Sequence, residues 1–130
     1  MLFRSLVDID RVGHPKVPAD QSELDAAKAL ADRIKDYMTG LGWSEPIVVM
    51  SGNGYHLYFV LKSLDNTPEA TVAIATVLKK LAAVFNNDVV GIDTSVYNAS
   101  RITKVPGTIM RKGTATEARP YRMAVVCDEE

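Results

Sequence analysis

The chain has 130 residues, 47% hydrophobic and 24% charged, with a formal net charge of −1. That describes one ordinary globular domain able to bury a core, and it excludes a global basic signature for nucleic acid, so any such surface must be local. The single Cys127 excludes an internal disulfide and fits a reducing compartment, and no apolar run approaches the roughly 20 residues of a membrane helix. The six residues before Val7 are too few for a signal peptide, which points to a cytoplasmic protein without a membrane partner.

Residues 2–9 read as a strand, with Phe3, Ser5, Val7 and Ile9 on one face and Leu2, Arg4, Leu6, Asp8 and Asp10 on the other. Residues 11–19 hold glycine and proline breakers and read as a loop. The spacing predicts a helix over 22–40, on an apolar stripe of Leu24, Ala27, Leu30, Ile34, Met38 and Leu41. Ser22 with Asp25 resembles a capping box, and Gly40 or Gly42 can close the end. Strands follow at 46–50 and 55–62, and Asn53-Gly54 between them signals a type I′ hairpin turn. Thr67-Pro68 starts a second helix with Ala70, Ile74, Val77, Leu81 and Phe85 on its buried face. Residues 89–93 are a fourth strand, and 101–110 and 119–126 read as further strands around the Lys112-Gly113 turn.

The order β-α-β-β-α-β is the ferredoxin-like, RRM-like α+β arrangement, with an antiparallel sheet ordered 4-1-3-2, two helices on one face and extra C-terminal strands. Strand one is then central. With Val7 and Ile9 toward the helices, Asp8 and Asp10 face the other way. The same alternation sends Asp93 and His56 to that open face from the neighbouring strands, whereas a one-residue slip would scatter them. Three carboxylates suit hard divalent cations, and neutral or cationic groups beside them suit a triphosphate. Residues 100–124 add Arg101, Lys104, Arg111, Lys112, Arg119 and Arg122 against the one acid Glu117, a composition that binds phosphates.

Each element alone has an ordinary reading. Asp8 and Asp10 could be a solvated pair, Ser51 to His56 a plain hairpin, Asp93 a strand terminator and the basic stretch a solvated face. His14 reads as structural, and Trp43 and Tyr37 read as packing residues. The case for a site is their convergence.

The combination resembles the archaeo-eukaryotic primase superfamily, particularly the primase-polymerases of bacterial plasmids, phages and defence loci. That family carries an Asp-x-Asp pair, a Ser-x-His element within Ser-Gly-x-Gly-x-His, and a later apolar-Asp. Here these are Asp8/Asp10, Ser51/His56 and Ile92-Asp93, in the family's order. The run from Asn98 and Arg101 through Pro106-Gly107-Thr108 to Arg119-Pro120-Tyr121-Arg122 also looks like the family's, with Tyr121 where many relatives have histidine. The resemblance covers residues 6–125. Relatives usually carry an α/β module before the acidic pair, so residues 1–130 are expected to be a single catalytic palm domain lacking that module, either a minimal version or one piece of an assembly with other domains or subunits.

The resemblance implies a DNA primase or polymerase that adds nucleotides to a primer 3′-hydroxyl on a template. Asp8, Asp10 and Asp93 would be catalytic and hold Mg²⁺ or Mn²⁺. Ser51, Gly52, Gly54 and His56 would bind the nucleoside triphosphate, with Arg101, Lys104 and Lys112 as phosphate or template contacts and Asn98 and Arg122 as weaker ones. Two rivals stand beside it. An inactive RRM-like nucleotide- or nucleic-acid-binding module shares the strand order but puts stacking aromatics where this chain puts acids. Another palm-type enzyme, a nucleotide cyclase or nuclease, would share the carboxylates.

Overall fold

Alternation along the first strand sets the sheet. In β1 (Leu2–Arg11), Val7 and Ile9 are 2% and 0% exposed, while Asp8 and Asp10 on the other side stay partly accessible. The computed structural model describes residues 2–13, 15–65, 67–95 and 107–127. After β1 come α1 (Gln21–Gly40), β2 (Ile47–Met50), β3 (Tyr55–Asp65), α2 (Pro68–Phe85) and β4 (Val90–Ile92), the expected β-α-β-β-α-β order. Three short strands follow: β5 (Ile109–Met110), β6 (Arg122–Met123) and β7 (Val125–Cys127).

The main sheet is antiparallel with order β4-β1-β3-β2-β7. The expected 4-1-3-2 order is present, and β7 extends it beyond β2. The C-terminal run expected over 119–126 changes partners at the buried Ala124. Before it, β6 pairs with β5; after it, β7 pairs with β2. Both helices pack on β1 and β4, and their buried faces join Val7, Ile9, Val48, Leu57, Phe59, Val90 and Ile92 in one core. The fold is α+β and ferredoxin-like, as expected.

The helix starts follow from their caps. The Asp20 carboxylate accepts from the Glu23 N–H at 2.8 Å, and the Glu23 carboxylate accepts from the Asp20 N–H at 3.0 Å. The capping box therefore sits two residues before the expected Ser22–Asp25 pair. A glutamate at the third helical position can reach back to the cap, and Ser22 instead donates to Asp20 at 2.9 Å. Of the two candidate glycines at the helix end, Gly42 takes the left-handed conformation (φ 96°). Leu41 lies beyond the last buried turn and is 60% exposed. In α2, Thr67 and Pro68 act as expected, while Leu78 is buried and Val77 and Phe85 are only partly so. Trp43 packs edge-on against Phe59, and Tyr37 against Phe85, each at 5.4 Å.

The face away from the helices is less open than expected. Leu6, Val49 and His56 lie on it and are 6%, 2% and 7% exposed. The acids thus border an apolar patch rather than standing on a bare sheet surface.

Asp20→Ala should cost about 1 kcal/mol of stability, the ordinary loss for a helix cap. The Glu23 backbone N–H, then Ser22, hold the Asp20 carboxyl below its usual range. Its stabilisation is therefore present above the unfolded carboxyl pKa of about 4 and is lost as pH falls through the lowered folded value. Urea unfolding at pH 7 and at pH 2.5 checks both parts: the gap between wild type and variant should shrink in acid.

Candidate active site on the open sheet face

Three neighbouring strands bring the expected residues together. Asp8 lies opposite His56 of β3 in the β1–β3 register. On its other side, the Asp93 N–H, one residue beyond β4, donates to the Asp8 carbonyl at 2.9 Å. Asp10 lies two residues along β1, opposite Gly91.

The geometry within this group is specific. His56 Nε2 is 3.2 Å from Asp8 Oδ1, so the buried imidazole supports that carboxylate from the side. Asp10 Oδ1 accepts from the Arg11 N–H at 2.7 Å. Burial pushes the Asp10 carboxyl above its usual range; the Asp8 charge pushes the same way, against the Arg11 N–H and the positive charges of Arg11 and Lys112. The Asp93 carboxylate turns back on its own loop, accepting from the Ser95 N–H at 2.8 Å and Oγ at 2.6 Å. Among the described residues, no three His, Cys, Asp or Glu side chains are gathered closely enough to hold a metal ion. Asp8 and Asp10 are thus brought side by side, and Asp93 reaches the same place with its backbone while its Oδ1 accepts from Ser95.

The glycine-rich turn is built differently from expectation. The Ser51 N–H donates to the Gly54 carbonyl at 2.9 Å, and the positive φ (109°) belongs to Gly52, not Gly54. The turn is therefore centred on Gly52-Asn53, with glycine at the first central position as in a II′ hairpin. Gly54 is required for another reason: a Cβ there would overlap the Ile9 carbonyl oxygen of β1. Asn53 does more than turn the chain, since its buried side chain accepts from the Ala19 N–H at 2.9 Å. Residues 51–54 are all buried, and the Gly52 N–H points at the Met50 sulfur at 3.0 Å. The turn works as a wedge that fixes the acidic strand against the loop before α1.

The C-terminal basic residues divide. Lys112 is near enough to Asp10 for its charge to act on that carboxyl. A Cβ at Gly113 (φ 68°) would overlap the Lys16 carbonyl oxygen, so this turn lies directly on the 15–19 loop. Arg122, a weaker phosphate candidate from sequence, instead donates to the Ala19 carbonyl at 2.7 Å. Arg119 donates to the Pro18 carbonyl at 2.9 Å and to Glu23 at 2.7 Å, and pairs with Asp20 at 3.3 Å. Asn98, Arg101 and Lys104, like His14, lie outside the described residues.

Sequence reasoning passed over Arg11. It is 2% exposed, donates to the Val17 carbonyl at 2.8 Å, and lies 3.6 Å from Glu23 and 3.8 Å from Asp10. Its Nε and Nη1 have no hydrogen-bond partner. The signal was in the pattern: Val7, Ile9 and Arg11 share the inward face, and a charge at an inward position needs a reason.

The fold is shared with a solved structure, the polymerase domain of Mycobacterium tuberculosis Ligase D in complex with DNA, at a TM-score of 0.57 and 22% identity. The match covers 93% of this chain and 44% of that one, so this chain spans less than half of that structure. No family model matches the chain, and no curated protein does.

Gly54→Ala should destabilise the protein by about 1–3 kcal/mol, the usual range for forced overpacking. The clash is with backbone, so β1 must shift at Ile9 and Asp10. Chemical denaturation measures the loss, and amide chemical-shift changes should concentrate at residues 8–11.

Proposed function

We propose that this chain is the catalytic palm of a metal-dependent nucleotidyltransferase of the DNA primase-polymerase kind, extending a primer 3′-hydroxyl on a template with nucleoside triphosphates. The observation that carries the reading is the register placing Asp8 between His56 and Asp93, with Asp10 two residues along the same strand. The shared fold with a polymerase domain supports it, as does the primase-like order of the motifs in the sequence.

The donors suit a hard divalent cation. Asp8 and Asp10 offer only carboxylate oxygens from one strand face, and the Asp8 charge adds to the effect of burial on Asp10, a crowding that a cation relieves. Asp8 and Asp10 would hold Mg²⁺ or Mn²⁺, with Asp93 as a third carboxylate from the neighbouring strand end. When bound, such ions lower the pKa of a hydroxyl and neutralise charge on phosphate oxygens. His56 orients Asp8. Lys112, whose charge acts on Asp10, would supply a positive charge for the triphosphate. Ser51 and the wedge of Gly52 to Gly54 would lie beside the triphosphate, with the Ser51 and Gly52 amides already partnered by Gly54 and Met50. Arg101 and Lys104 are proposed as further phosphate or template contacts, and the DNA seen with the Ligase D domain suggests DNA as the partner.

One observation favours a second reading. Tyr58 lies on the open face of β3 beside His56, with ring centroids 6.1 Å apart, where an RRM-like module would stack a base. Such a module would bind single strands without metal or product.

Asp8→Ala and Asp10→Ala should each weaken Mn²⁺ binding by at least about tenfold and abolish primer extension, with folding kept because both side chains leave the core. Unchanged Mn²⁺ affinity and product in either variant would sink the assignment. His56→Ala should weaken Mn²⁺ binding by about tenfold, the loss expected when a ligand's hydrogen-bond partner is removed; calorimetric titration reads this.

A further inference from the structure

We propose that Arg119 is a positioning residue: by clasping Asp20 and Glu23 it fixes the segment that holds Lys112 and Gly113 against the loop following the acidic strand. The inference rests on the proposed function, in which Lys112 contacts the triphosphate.

The segment has little apolar anchorage of its own. Among its described residues Ala124 is the buried hydrophobe, while Ile109, Tyr121, Met123, Val125 and Val126 are 37–49% exposed. The β5–β6 pairing spans two residue pairs, so beyond it the segment is held by β7 on β2 and by polar contacts of Arg119 and Arg122. Residues 113–121 instead form a loop closed on itself. The Tyr121 hydroxyl donates to the Gly113 carbonyl, and Thr116 and Arg119 exchange backbone hydrogen bonds of 3.0 and 3.1 Å. Among the described residues the loop meets the rest of the protein at Gly113, which follows Lys112 and lies on Lys16, and at Arg119, which reaches Pro18, Asp20 and Glu23.

The base of the clasp is rigid. Asp20 and Glu23 form the capping box of a 20-residue helix, at the end where negative charge is stabilised. Exposed ion pairs usually contribute little. This one combines two carboxylates and a carbonyl on one guanidinium, with the Glu23 side chain only 19% exposed. The same Glu23 oxygen lies 3.6 Å from Arg11, the residue next to Asp10. One carboxylate therefore stands between Arg11 of the acidic strand and Arg119 of the basic segment that carries Lys112.

A double-mutant comparison tests this with Mn²⁺-loaded nucleoside triphosphate as ligand. Lys112→Ala should weaken binding by about tenfold, as loss of one charge-assisted contact does. Arg119→Ala should weaken it nearly as much, the double variant no further, and Arg119→Lys should recover part. Amide exchange across residues 111–121, measured without nucleotide, should rise in Arg119→Ala. Losses that multiply in the double variant, or unchanged exchange, overturn the positioning role. Raised exchange with full triphosphate affinity in Lys112→Ala would remove Lys112 from the proposed site and reduce the clasp to a structural one, while the Mn²⁺ binding of Asp8 and Asp10 judges the proposed function separately.

Discussion

Every chemical possibility of this molecule depends on the alternation of β1 between β3 and β4. Val7 and Ile9 are sealed under the helices, so Asp8 and Asp10 must face away. A slip of one residue would bury both carboxylates, at several kcal/mol per ion. The core therefore fixes the register, and the register fixes the site. His56 and Asp93 reach Asp8 because their own strands obey the same rule, with Leu57 and Ile92 inward.

A second constraint is polar. The stretch from Lys16 to Glu23 receives contacts from four residues in three parts of the chain. Arg11 donates to Val17, Asn53 accepts from Ala19, Arg119 reaches Pro18, Asp20 and Glu23, and Arg122 donates to Ala19. A loop of this kind has backbone carbonyls that no sheet or helix satisfies, and the arginines supply the missing donors. Arg11 is the most exposed to penalty of these, being buried with two nitrogens lacking a hydrogen bond. Its charge is tolerated because Glu23 and Asp10 lie within 3.6 and 3.8 Å.

These two constraints meet at Asp10. The core sets its direction, the Arg11 N–H holds one of its oxygens, and Lys112 approaches from a segment more than a hundred residues away in sequence. Asp93 shows the limit of register as a guide. Its backbone is in place, yet a serine two residues on competes for its carboxylate, as short polar side chains in turns do.

The sequence by itself determined the element order, the helix-facing residues and the grouping of Asp8, Asp10, His56 and Asp93, because periods of two and 3.6 are local properties read residue by residue. It located the glycine-rich turn but centred it one residue late, since Asn53-Gly54 is a strong turn signal whose residues here serve packing: Gly54 against Ile9 and Asn53 against Ala19. Only the tertiary structure decided which acid caps α1, how the last strands divide between two sheets, and that Arg119 and Arg122 are anchors while the Lys112 charge acts on Asp10. Those outcomes depend on which side chains meet across long sequence separations, where a lysine and an arginine of one basic run look alike until the fold assigns each a partner.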